Sequence, residues 1–257
     1  MHELIALADI AILENPTTFV MPINYEGETY WIKRRPFSKL TFWHRLQKLI
    51  SILIPFAILK PTVSLGGTSS LQHEAHSLQS LYEKGLPVPK CVYVGESYLI
   101  TKHSGKSLPN VLHQLSTETE KQDLILKAFK TLYQFHAKDV CHGRPAIKDM
   151  TYLSGQVTLL DFEESPLEVM SLPEAKARDI WLFLISAAPF YKTNNADINQ
   201  VLACYAKNDV LTYTCLKKWG LWLRPVDKLI RFLHLDACGK DIAKASIAMK
   251  LLSFKTP

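Results

Sequence analysis

Cys141-His142-Gly143-Arg144-Pro145-Ala146-Ile147-Lys148-Asp149 is followed, twelve residues after its aspartate, by Asp161-Phe162-Glu163. Between them, Tyr152-Leu153 and Val157-Thr158-Leu159-Leu160 flank the turn residues Ser154-Gly155-Gln156, the pattern of a short hairpin. A hairpin bracketed by Asp149 and Asp161 brings two carboxylates to one end. There they can share Mg²⁺, a hard ion that takes carboxylate oxygens together with phosphate oxygens. The plainer alternatives are a turn aspartate after Lys148 and an aspartate capping a strand end.

Working outward, residues 17 to 34 read as two strands, Thr17 to Met21 and Thr29 to Lys33, joined by Asn24-Tyr25-Glu26-Gly27-Glu28. Lys33 closes the second strand. Leu71, Ala75, Leu78 and Leu81 then recur at helical spacing, with Gly85 placed to end the helix. Glu74 on that helix can pair with Lys33 and fix its ammonium over phosphates. A solvated lysine beside Arg34 and Arg35, with Glu74 on a helix surface, is the competing reading.

Cys91 to Val94 and Ser97 to Thr101 read as a second hairpin, turning at Gly95-Glu96, and Gly105 and Pro109 mark a loop. Leu124, Ala128, Leu132 and Phe135 describe a helix from Lys121 to His136. Beyond Pro173 the chain is expected to be mostly helical, over 175–187, 198–205 and 225–252. Asp179 is read as starting the first of these helices and accepting backbone N–H bonds from the loop at His142-Gly143, or as a first-turn aspartate favoured by the helix dipole. Mostly β followed by mostly α makes the fold class α+β.

The chain has 257 residues, 47% hydrophobic and 21% charged, which excludes a disordered protein and allows one large domain or two small ones. Its five cysteines are scattered, odd in number and without a CxxC pair. That argues against a disulfide framework or zinc site and for a reducing compartment. The N-terminus lacks a basic segment, and Asp9 interrupts its apolar run, so no secretory signal is expected. No stretch reaches the roughly 20 apolar residues that span a bilayer. The net charge of +6 suits anionic partners such as nucleotide phosphates, acidic lipid or nucleic acid, of which nucleic acid is not expected.

Lys33, Glu74-Ala75, Gly85-Leu86-Pro87-Val88-Pro89, Tyr98-Leu99-Ile100-Thr101, His142-Gly143, Asp149, Asp161-Phe162 and Arg178-Asp179, in this order, resemble the bacterial lipopolysaccharide-kinase-like branch of the protein-kinase-like superfamily. The matches lie between residues 29 and 181, and their order and spacing carry the specificity. The resemblance implies a bilobal fold, with a small β-rich N-terminal lobe over residues 1–103 and a helical C-terminal lobe over 104–257. It implies an ATP site between the lobes and a hinge near Thr101-Lys102-His103. Lys33, Glu74, Thr101 and His103 would then contact the nucleotide, and Asp149 and Asp161 would hold Mg²⁺. The acceptor of the γ-phosphate would be a sugar of the lipopolysaccharide inner core, or a small molecule.

The family's catalytic loop reads His-Arg-Asp, four residues, then Asn. His142 fits that pattern and Asp149 takes the Asn slot, whereas Arg144 stands where the catalytic Asp belongs. A guanidinium cannot accept a proton. No Gly-x-Gly-x-x-Gly precedes Lys33, and Glu163 stands in place of the usual glycine. Two readings follow. In the enzyme reading, which is favoured because both metal positions keep carboxylates, Arg144 contacts the γ-phosphate or an anionic acceptor, and Asp149 or Glu163 takes the proton. In the other, the chain is a catalytically silent pseudokinase serving as a regulatory binding module. Nucleotidyl transfer on the same fold is a third.

Residues 34–63 look like an insertion. Arg34, Arg35, Lys39, Arg45 and Lys48, with Phe42 and Trp43, lead into an apolar stretch from Leu49 to Leu59 broken by Pro55. Such a segment either lies on an anionic membrane surface or packs on the first lobe. The membrane alternative makes the protein cytoplasmic and peripheral at the inner membrane, with a lipid-linked acceptor. Lys217-Lys218-Trp219-Gly220-Leu221-Trp222-Leu223-Arg224 is a second basic, tryptophan-rich stretch, surface contact or core.

Overall fold

A computed structural model of the chain describes residues 1–34, 68–190 and 196–232, together with Lys244, Ser246 and Ile247. The described residues form a mixed α+β structure, an antiparallel four-stranded sheet followed by a mainly helical part. The segment at 35–63 and Cys238 lie outside the described residues.

Strands β1 (Val20–Tyr25) and β2 (Glu28–Arg34) form a hairpin whose register, Tyr25 opposite Glu28, leaves only Glu26 and Gly27 in the turn. Both turn residues have positive φ, 51° and 76°, the mirror-image turn whose twist matches the strands. The first strand therefore starts later than expected and runs through Asn24 and Tyr25. Strands β3 (Cys91–Val94) and β4 (Tyr98–Lys102) form the second hairpin, and the sheet order is β1-β2-β4-β3.

Alternation along β2 and β4 gives the sheet two different faces. Ile32, Tyr98 and Ile100 point to one side, where they pack with Met21 and Ile23 against Leu4 and Ala8 of α1 (His2–Glu14). Trp31 and Lys33 of β2, with Leu99 and Thr101 of β4, line a cleft on the other. The register sets Trp31 opposite Thr101 and Lys33 opposite Leu99, so the cleft face is a ladder of these four side chains.

Helix α2 (Thr68–Glu83) buries Leu71, Ala75, Leu78 and Leu81. It ends at Gly85, whose φ of 68° lets Gly85 and Leu86 donate back to the carbonyls of Tyr82 and Leu81. The segment expected to be a loop at Gly105 and Pro109 is instead a short strand, β5 (Lys106–Ser107), and a helix, α3 (Leu108–Gln114), with Pro109 in its first turn. Gly105 has φ 117°, and a Cβ there would fall 2.3 Å from the Tyr152 carbonyl, so the strand crossing requires glycine.

Helix α4 (Glu118–His136) starts one turn earlier than expected, at a capping box formed by Thr117 and Glu120. Strands β6 (Met150–Leu153) and β7 (Gln156–Leu159) are the hairpin between the two aspartates, and they pair with β5 in a second small sheet. Helices α5 (Leu172–Ala187), α6 (Ala196–Asn208) and α7 (Val210–Phe232) complete the described part. Phe129, Leu132 and Phe135 of α4, Phe183 and Leu184 of α5, Tyr205 of α6 and Leu216 of α7 form its fully buried core.

Two expectations are corrected here. Asp179 lies in the middle of α5, not in its first turn, so the helix dipole does not account for it. The last helix does not begin at Pro225 but runs through it from Val210. Its basic, tryptophan-rich stretch divides by face: Trp219 is buried in the core and Trp222 is 61% exposed. Among the described residues, no helix is long and apolar enough to cross a membrane.

Candidate functional site

Lys33 reaches out of β2 into the cleft, where its Nζ lies 2.7 Å from Glu74 Oε1 and 2.6 Å from Asp161 Oδ1. The three residues are 41 and 128 positions apart in the chain and come from the sheet, from α2 and from the segment after β7. Burial alone would lower the Lys33 pKa, but the charges of Glu74 and Asp161 overcome it and raise the pKa, so the ammonium is permanent. For Asp161 burial pulls upward, and Lys33, by charge and hydrogen bond, overrides it and holds the carboxyl below its ordinary range. Glu74 is buried, and desolvation pushes its carboxyl up against the pull of Lys33.

Asp161 also has an unusual backbone. Its φ is 70°, the left-handed region that few residues with a Cβ adopt. Asp149 closes a single 3₁₀ turn (Ile147–Asp149) before β6. Its carbonyl accepts from the N–H of Leu160, which brings the two aspartate ends of the hairpin together. Asp149 Oδ2 is buried and, among the described residues, has no hydrogen-bond donor. Lys148 Nζ stands 4.0 Å from the other oxygen. Burial, reinforced by the charge of Asp161 and opposed by Lys148, raises the Asp149 carboxyl above its ordinary range.

The loop that carries these groups is held from behind by Asp179, which is fully buried. One of its oxygens accepts from the His142 N–H at 2.6 Å, the other from the Gly143 N–H at 2.9 Å. His136 Nε2 lies 3.2 Å from the same carboxylate, and Tyr205 Oη lies 2.7 Å from His136 Nδ1. Burial raises the Tyr205 phenol well above its ordinary range and keeps it a donor. The arrangement that satisfies every group is Tyr205 O–H to His136 Nδ1 and His136 Nε2–H to Asp179. His142 is fixed likewise: Nε2–H donates to the Leu160 carbonyl at 2.7 Å, and its ring packs on Phe162.

Gly143 has φ 95°, and a Cβ there would meet the Cβ of Glu164 at 2.8 Å, so only glycine fits between the loop and the acidic segment. Arg144 follows, with its side chain half exposed. Its Nε lies 3.3 Å from Glu164 Oε1, and its terminal nitrogen lies 3.8 Å from Glu163 and 4.0 Å from Asp161. Burial, with Asp161 next, raises the Glu163 carboxyl. Sequence reasoning singled out Glu163 and missed Glu164, the nearer partner; the adjacent pair of glutamates was the only signal for it.

The cleft has a volume of about 780 Å³, within the usual range of ligand sites. Six of the residues singled out from the sequence line it: Lys33, Glu74, Thr101, His103, Asp149 and Asp161. The seventh, Arg144, stands beside Asp161 outside that lining. Besides its charged groups the cleft is lined by Trp31, His103 and Pro89, and by Val20 and Leu99, which flank Lys33 on the neighbouring strands. The His103 N–H is already given to the Thr29 carbonyl at 3.0 Å, and that of Lys102 to the Lys90 carbonyl at 2.9 Å.

No protein-family model matches the chain. It is similar to an uncharacterized protein of Haemophilus influenzae, 32% identical over 145 residues, which are 56% of this chain and 52% of that protein. The chain thus spans about half the length of that relative.

Proposed function

We propose that this chain is a bilobal, kinase-like phosphotransferase that moves the γ-phosphate of ATP onto a sugar or lipid-linked acceptor at the cytoplasmic face of a membrane. The observation that carries the proposal is the lysine held at once by Glu74 and Asp161 in a cleft that Asp149 also lines. Phosphoryl transfer asks little covalent chemistry of a protein; it asks for fixed cations at the phosphates and carboxylates for the metal ion. The boundary between the lobes would fall near His103, where the chain leaves the four-stranded sheet.

The residues present fit Mg²⁺. Asp149 offers a buried oxygen without a donor, Asp161 shares the cleft, and both are hard oxygen ligands. Among the described residues no cluster of three or more His, Cys, Asp or Glu side chains could hold a metal by itself. That suits an ion completed by phosphate oxygens. When bound, Mg²⁺ would neutralise charge on the phosphates.

The chain's own residues would act as follows. Lys33 binds phosphate oxygens, and Glu74 keeps its ammonium in place. Asp179, backed by His136 and Tyr205, fixes the two backbone amides at the start of the loop. Arg144 sets a positive charge beside Asp161, where charge develops on the transferred group. The acceptor oxygen forms a bond to the γ-phosphorus as the bond to the β-phosphate oxygen breaks, and its proton passes to Glu163, whose carboxyl is raised by burial.

A second reading rests on Arg144 itself. No carboxylate occupies its position, and three carboxylates lie within 4.0 Å of its guanidinium. A pseudokinase would keep the nucleotide site and lose turnover. Thermal melting with Mg²⁺ and a non-hydrolysable ATP analogue tests both. Stabilisation that disappears in Asp161→Asn supports a nucleotide site, and no shift with any nucleotide overturns it. Phosphate transfer to lipopolysaccharide-type acceptors then separates enzyme from silent binder.

A further inference from the structure

We infer that Trp31 and His103 form a ring-stacking platform for a purine base in the cleft, two residues along β2 from Lys33, and that the cleft therefore takes ATP and GTP almost equally. This rests on the nucleotide reading above. Trp31 stands two residues before Lys33, on the same face of β2, so one strand presents a flat aromatic surface and a phosphate-binding cation to the same cleft. The cleft thus fits a ligand that joins a planar ring to an anionic group.

The platform is fixed before any ligand arrives. Trp31 Nε1–H donates to His103 Nδ1 at 3.0 Å, and the two rings lie 6.3 Å apart at an interplanar angle of 25°. That bond satisfies the indole N–H and sets the neutral tautomer of His103 with its hydrogen on Nε2. What Trp31 offers a ligand is therefore its π face. Val20, Leu99 and Pro89 complete an apolar surround.

The main chain beside the platform is already committed. His103 N–H goes to Thr29 and Lys102 N–H to Lys90, within the sheet. Reading the edge of a base requires a donor or acceptor at that edge, and these two backbone donors are spent. Stacking remains, and stacking accepts any base with a π face while favouring the larger purines.

Titration of the full chain with Mg²⁺ and, separately, ATP, GTP, UTP and inorganic tripolyphosphate tests this. The expected result is ATP and GTP affinities within about threefold, with UTP weaker. Trp31→Leu should weaken both purine nucleotides by about tenfold or more, the scale of base–aromatic stacking, while tripolyphosphate binds as before. Trp31→Phe keeps a ring and should lose less, which guards against a folding defect in the leucine variant. GTP at least thirtyfold weaker than ATP overturns the platform, as does a Trp31→Leu variant that loses ATP and tripolyphosphate equally or loses neither. In those cases the nucleotide reading survives. Absence of nucleotide binding in the wild-type chain overturns both.

Discussion

Lys33 and Lys176 are each gripped by two carboxylates. Lys33 lies 2.7 and 2.6 Å from Glu74 and Asp161; Lys176 lies 2.7 and 3.0 Å from Asp139 and Asp209. Counted as ion pairs they are twins. Around Lys176, Tyr205 pairs with His136 and Asn208 with Tyr133, and the unpaired polar atom next to its partner Asp209, among the described residues, is a neutral hydroxyl, Thr212 Oγ1. Beside Lys33 stands Asp149, with a buried oxygen that no donor reaches. Lys176 ties α5 to the segment just after α4 and to the residue before α7. Lys33 sits where charge has been left for something else to complete. A held lysine does not by itself mark a site; one held inside a cleft, beside a buried carboxylate oxygen without its donor, does.

The largest expected effect separates the two lysines directly. Lys33→Met should weaken Mg²⁺-nucleotide binding by roughly thirtyfold, since it removes a charge-assisted contact to phosphate. Lys176→Met should leave that affinity within about twofold and lower the melting temperature by about 2–4 °C, the equivalent of about 1 kcal/mol lost from a partly solvent-screened ion pair. Equal effects of both variants on nucleotide affinity would end the distinction.

Asp149 sharpens it further. Asp149→Asn should stabilise the ligand-free chain at neutral pH by about 1 kcal/mol, because it removes the charge of a largely buried carboxylate and leaves a neutral amide in its place. The same change should abolish Mg²⁺-dependent binding. The folded-state pKa of Asp149 is raised. The native state therefore holds its proton more tightly, and this contribution to stability is lost as pH rises through the folded pKa. The advantage of the Asn variant should thus appear as pH rises above the ordinary carboxylate range and vanish below it; urea melts at several pH values measure this. The smallest effect is expected at Asp139. Its side chain is 72% exposed and its φ is 57°, so Asp139→Asn, which keeps that left-handed backbone, should change stability by less than about 0.5 kcal/mol, with Asp209 still holding Lys176.

The convergence of Lys33, Glu74 and Asp161 was legible because each stood at a definite place in an element: a strand end, the second turn of a helix, the exit of a hairpin. The role of Asp179 as acceptor for the loop amides was legible too, but its helix begins earlier than its apolar run suggests, at a Ser171–Glu174 capping box. Helix α1 was not legible. Leu4 and Ala8 are buried while Leu7, Ile10 and Leu13 are exposed, so its apolar residues mark no single face. Helix α7 was hidden by Pro225, whose ring usually signals a break. The ties of Arg144 to Glu164 and of Trp31 to His103 depend on loop geometry and on partners 20 and 72 residues away, which spacing does not encode.

The left-handed backbone at position 161 places two demands on one residue. Glycine would meet the conformational demand at no steric penalty and bring no carboxylate. Glutamate would bring the carboxylate and sit in that conformation poorly. Aspartate and asparagine are the side chains that visit this region most readily, and of the two only aspartate is an anion. A saturation library at this position should therefore divide cleanly: selection for folding returns Gly, Asn and Asp, and selection for ligand binding returns Asp alone. For the same reason alanine is a poor probe here, since its losses would mix backbone strain with missing charge.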